Sequence, residues 1–250
     1  MTTIVGIKTN TGIIDAVVLG SDTQLSYLDE DGNAIAKRPI LKMVYGDFWA
    51  LAPCGAYTDE LKSFYNKLRK PEDKRYRNFD KDKLETMIAK AVGSKRFIQI
   101  DELNANYLKE GGDLEESHEF LMAVNRPRIE LFHVDPFGNL ISPKKNKSYM
   151  VLGTGEEDAS KYIEEQFEED IYDTNDIDLR VAMDLCRKAV KSASQKGDIM
   201  SGLPLDLIVV RKEGIRAYGK RIRNAIEQAD EKEFNTIIME EIGEKVRESI

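Results

Sequence analysis

Thr2-Thr3-Ile4-Val5-Gly6-Ile7, directly behind Met1, is the stretch from which the rest of the chain is read. It is rich in β-branched and apolar residues, the composition of a strand that enters a core. Thr2 is small enough for the initiator methionine to be trimmed, which would leave threonine as the first residue. A terminal threonine carries a hydroxyl and a free α-amine on one residue. That is a nucleophile with its own base, and a threonine hydroxyl is inert until something takes its proton. An α-amino group titrates near pH ~7.7–8.0, so part of it is already unprotonated at neutral pH. Taken alone, the stretch reads equally well as the start of an edge strand.

Outward from it, runs at 3–9 and 13–20 flank Asn10-Thr11-Gly12, the pattern of a hairpin. Val17-Val18-Leu19-Gly20 delivers Ser21-Asp22-Thr23 at a strand end. Residues 27–38 are polar around Asp29-Glu30-Asp31-Gly32-Asn33 and predict an exposed loop or hairpin tip. Strands at 39–45 and 47–53 surround Gly46-Asp47 and end in Pro53-Cys54-Gly55. From Ala56 the period becomes helical, with Leu61, Phe64, Tyr65 and Leu68 on one face, and a second helix runs from about Asp82 to Tyr107. Strands at 118–125, 128–135 and 139–142 follow, separated by turns at Asn125-Arg126-Pro127 and Asp135–Asn139. Tyr149–Gly155 is a strand running into a helix at 156–169. A helix over Asp176–Lys196, a loop at 197–202, strands at 205–211 and 214–218, and a long charged helix at 221–248 complete the chain.

Helices come in pairs between sets of strands, so repeated βαβ units and a parallel sheet do not fit. Two mainly antiparallel sheets, each covered by a helical pair, do. The class is α+β, and 250 residues suit one large domain. A formal net charge of −8 argues against nucleic acid and against an anionic membrane surface as partners. No run is apolar enough to span a bilayer or to serve as a signal segment. Cys54 and Cys186 fit free thiols of a reducing, cytoplasmic compartment. His118 and His133 belong to no cluster with metal spacing, so neither a metal nor another cofactor is expected.

These motifs, in this order, resemble the proteasome β subunits of the N-terminal-nucleophile (threonine) hydrolases, a family that includes the bacterial heat-shock peptidase of proteasome type. The resemblance covers residues 2 to about 219. Thr2-Thr3-Ile4-Val5-Gly6 is similar to the mature N-terminus, and Ser21-Asp22-Thr23 to the aspartate-bearing strand end. Lys42 in Leu41-Lys42-Met43 matches the family lysine, and Gly55 in Cys54-Gly55-Ala56-Tyr57-Thr58-Asp59 the oxyanion glycine. Gly153-Thr154-Gly155 takes the place of a Gly-Ser-Gly. Asp198-Ile199-Met200-Ser201-Gly202 and Asp206–Val210 have the spacing of the family's last site loop and strand.

The resemblance implies a four-layer αββα sandwich over residues 1–219, with 220–250 a C-terminal helical extension of the same domain. It implies that Thr2 attacks a scissile carbonyl, and that Lys42 holds the local potential positive with Asp22 as its partner. Gly55 would offer its N–H to the oxyanion, while Asp198, Ser201 and Thr154 would hold the α-amine. Pro53 and Tyr57 would flank the substrate pocket. Lys37 is a rival for the lysine's place, Gln24 stands where many members have arginine, and Thr154 replaces serine. The implied substrate is a peptide or unfolded protein, cut inside a homo-oligomeric ring that a regulatory ATPase could serve. The same acyl-enzyme resolved by an amine would make the chain a peptide ligase or transpeptidase. A non-catalytic ring subunit is the alternative from outside enzyme chemistry.

Overall fold

The computed structural model describes residues 2–11, 14–28, 34–39, 42–46, 48–55, 61, 98–113, 117–126, 128–137, 139–169, 171, 173, 176–195, 205–219, 232, 235–237 and 239; for 24–28, 34–39, 98–103 and 195 it describes the backbone alone. In chain order its elements are β1 (Thr3–Lys8), β2 (Ala16–Asp22), β3 (Gln24–Leu28), β4 (Ala34–Pro39), β5 (Val44–Tyr45), β6 (Trp49–Cys54) and α1 (Ile98–Lys109). Then come β7 (Glu119–Val124), β8 (Glu130–Val134), β9 (Leu140–Ile141), β10 (Tyr149–Gly153), α2 (Glu156–Glu168), α3 (Leu179–Gln195), β11 (Leu205–Arg211) and β12 (Gly214–Ala217).

Five strands form one sheet in the order β10-β1-β2-β11-β12, and five form a second in the order β5-β6-β7-β8-β9. Every described pairing is antiparallel. Successive side chains of a strand leave opposite faces, so alternate residues sort into different layers. Ile4, Val17, Leu19 and Val210 of the first sheet are buried with Ala50, Ala52, Leu121 and Leu131 of the second, and the two sheets pack face to face. Val5, Ile7, Val18 and Val209 turn the other way, onto Ala159 and Ile163 of α2 and Leu185, Ala189 and Val190 of α3. On the far side of the second sheet, Trp49, Leu51, Phe120 and Met122 meet Leu61, a helical residue. The layers are therefore helix, sheet, sheet, helix, as the sequence predicts. Each fully buried Leu, Ile or Phe contributes roughly 1.5–3 kcal/mol.

Local signals account for the helix ends. The Asp178 carboxylate accepts the Val181 N–H at 2.7 Å and caps the start of α3. Three acidic residues, Glu156, Glu157 and Asp158, occupy the first turn of α2, where the helix dipole favours negative charge. Asn104 fastens α1 to the second sheet by donating to the carbonyls of His118 and Pro136.

Three boundaries differ from the sequence reading. β2 starts at Ala16 and runs to Asp22, which makes the aspartate the last residue of the strand. The polar stretch at 27–38, read as an exposed loop or a hairpin tip, holds the end of β3 and most of β4, paired from Gln24↔Pro39 to Leu28↔Ala34, so the hairpin alternative is the one the strands fit. The alternations Leu25-Ser26-Tyr27 and Ile35-Ala36-Lys37 carry the strand signal there, hidden by the acidic tip between them. The strand expected at 39–45 is Val44–Tyr45 among the described residues. Most of the two helices expected between Ala56 and Tyr107, and most of the C-terminal helix, lie outside the described residues. Residues 232, 235–237 and 239 are helical, and Ile237 is fully buried against the α2–α3 side of the first sheet.

Candidate active site

Strand register brings one set of strand ends together. β1 begins at Thr3, which pairs with Gly153 at the end of β10, and Ile4 pairs with Ser21 near the end of β2. Asp22 pairs with Leu205 at the start of β11. Thr2 lies one residue before β1 and keeps step with Ile4, on the side that faces the second sheet. Lys42 stands two residues before β5 and reaches across from that second sheet.

The three side chains meet. The Lys42 ammonium donates to Thr2 Oγ1 at 2.5 Å and to both Asp22 carboxylate oxygens at 3.0 Å. All three residues are buried, Asp22 completely. An ammonium at that depth needs a compensating charge, and Asp22 supplies it. Asp22 Oδ1 also accepts the Thr3 N–H at 3.0 Å, and the Thr154 N–H donates to the Thr2 carbonyl at 3.2 Å. Because Lys42 donates to Oγ1, the threonine's own proton points away from that ammonium. A cation 2.5 Å away also favours negative charge developing on that oxygen.

The surroundings are acidic and partly dry. Cys54, at the end of β6, faces Glu119 across the sheet. Burial first, and then the Glu119 carboxylate, push its thiol up to about 12, so it is a neutral neighbour and not a second nucleophile. Burial and Glu119 also raise the Glu156 carboxyl above its usual range. Glu119 Oε2 is itself in contact with His133 Nε2. Among the described residues no three His, Cys, Asp or Glu side chains are grouped to hold a metal ion.

Of the residues singled out in the sequence, Thr2, Asp22, Lys42 and Thr154 are brought together. Thr154 is exposed and reaches Thr2 through its backbone N–H. Gly55 follows the end of β6 with φ +112, a backbone open to glycine. Pro53 is buried and shares the face of Leu51 and Trp49, the helix side of the second sheet. Tyr57, Asp198 and Ser201 lie outside the described residues. Lys37 is on β4, opposite Ser26. Sequence reasoning missed Cys54 as a neighbour of the site; its place beside Gly55 was the available signal.

The family model described as Proteasome subunit matches residues 119–210. No curated protein matches the chain. Among solved structures, that of eukaryotic HslV from Trypanosoma brucei is similar with a TM-score of 0.52 at 20% identity, covering 84% of this chain and 99% of that one. Its likeness is one of fold. The family match over residues 119–210 and the helix–sheet–sheet–helix layering together show a chain similar to proteasome subunits, with the α+β sandwich fold of the HslV structure.

Proposed function

We propose that this chain is a threonine peptidase that cuts peptide bonds through an acyl ester on Thr2. The observation that carries the reading is the buried Thr2 hydroxyl 2.5 Å from an ammonium that Asp22 holds in place. Once Met1 is removed, the α-amine of Thr2 takes the hydroxyl proton, directly or through a water. Oγ1 attacks the scissile carbonyl, the tetrahedral oxyanion collapses, and the protonated leaving amine departs with the C-terminal part of the substrate. Water, deprotonated by the same amine, then hydrolyses the ester and regenerates Thr2. With Met1 attached, the nitrogen is an amide and accepts no proton, so trimming is part of the mechanism. Gly55 N–H stabilises the oxyanion, and Asp198, Ser201 and Thr154 hold the amine, as the family resemblance implies. The free Cys54 and Cys186 fit a cytoplasmic protein. The family likeness supports a homo-oligomeric ring with peptide or unfolded protein as substrate, and the burial of Ile237 against the first sheet supports reading residues 220–250 as an extension of the same domain.

The test is to incubate the protein with a peptide and a competing amine-terminated peptide, and to weigh the products. Cleavage by water is expected, with turnover lowered about 10⁴-fold or more in Thr2→Ala. The active sample, weighed natively, should be a multiple of the 28.4 kDa chain. Products joined to the added amine would make it a ligase, and undiminished turnover by Thr2→Ala would overturn the reading.

A further inference from the structure

The peptide unit joining Thr2 to Thr3 is held at both ends: its carbonyl accepts from Thr154 N at 3.2 Å and its N–H donates to Asp22 Oδ1 at 3.0 Å. This fixes the backbone that carries the nucleophile. The carbonyl's seat exists because of the residue beside it. Gly153 has φ +105, and a Cβ built on it would stand 1.6 Å from the Thr2 oxygen and 2.8 Å from the Thr2 carbonyl carbon. Both are backbone atoms of Thr2, which no side-chain rotation can move away. Cys54 Sγ, 3.5 Å from the same point, closes the other side.

Resting on the peptidase reading, we infer that Gly153 is a positioning residue of the reaction: the space left by its missing side chain seats the Thr2 carbonyl, and that seat aims Oγ1 at Lys42. A side chain there would push the Thr2–Thr3 peptide off Thr154 or tilt it against Asp22. Oγ1 would then leave its place 2.5 Å from the ammonium. A displacement of about 1 Å at a reacting atom costs on the order of 10²-fold in rate.

Backbone conformation alone would also favour glycine at φ +105. Gly111 separates the two explanations. It has φ +91, and nothing lies within 4 Å of a Cβ placed on it, so Gly111→Ala carries the strain without the collision. Kinetics and amide hydrogen exchange should therefore be compared for wild type, Gly153→Ala and Gly111→Ala. Gly153→Ala should lower kcat about 100-fold with KM within about threefold, and speed exchange of the Thr3 amide. Gly111→Ala should leave both kcat and Thr3 protection as in wild type. A folded Gly153→Ala protein with wild-type kcat and a protected Thr3 amide would overturn the inference, as would equal losses in the two variants. If Gly153→Ala does not fold, amide exchange in Thr154→Pro, which deletes the N–H that grips the carbonyl, decides: faster exchange at the Thr3 amide supports the seat, and wild-type protection overturns it. Should the wild-type protein turn over no peptide, the peptidase reading fails, and Thr3 exchange in Gly153→Ala still decides on the seat.

Discussion

Lys42 is 4% exposed and Asp22 is fully buried, so each charge depends on the other to stay at that depth. Lys42→Ala should therefore do two things at once. It should abolish turnover, and it should destabilise the fold by about 3–5 kcal/mol in urea unfolding, because the Asp22 carboxylate is left buried without its cation. Adding Asp22→Asn should recover much of the stability and none of the activity. A single Lys42→Ala variant as stable as wild type would mean the pair is not what holds the strand ends together. Cys54 gives a second test at this scale. Its thiol is raised from an ordinary 9.0 to about 12, chiefly by burial. The native state therefore holds that proton more tightly than the unfolded chain does. The stabilisation is complete below pH 9 and is lost as pH rises toward 12. The urea midpoint should fall across that window, and less steeply in Cys54→Ala; identical slopes would place the thiol in water.

At the scale of elements, the C-terminal segment is tied to the body by Ile237, which is fully buried among side chains of α2, α3 and the first sheet. A chain ending at Gly219 should lose at least about 2–5 kcal/mol of stability, the range for emptying one large aliphatic site. An equally stable truncated chain would show that the segment packs elsewhere. Much of the element order was legible in the sequence, because β1, β7, β10 and β11 are apolar runs bounded by turns and α3 has a clean helical period. For β3 and β4 only the hairpin tip was legible, as one of two readings, since their alternation is short and an acidic tip dominates the composition. The site divides in the same way. Thr2, Asp22 and Lys42 were legible as types in a recognisable order, and the Lys42 side chain, reaching across from the second sheet, makes them adjacent. The seat beside Gly153 was not legible, because a close approach of two backbones leaves no mark in the sequence beyond a glycine.

For the whole molecule, the site joins the two sheets. The first sheet supplies Thr2 and Asp22, the second supplies Lys42, and the inter-sheet core holds the two in register. A nucleophile split from its cation in this manner works only in the folded, layered state. The account stands on Thr2 acting as a nucleophile with its own amine as base. Mass spectrometric mapping of active protein after reaction with an electrophilic peptide measures this directly. The expected result is a single adduct on Thr2, in a chain that has lost Met1. An adduct on Cys54, or full reactivity in a chain that retains Met1, would contradict it.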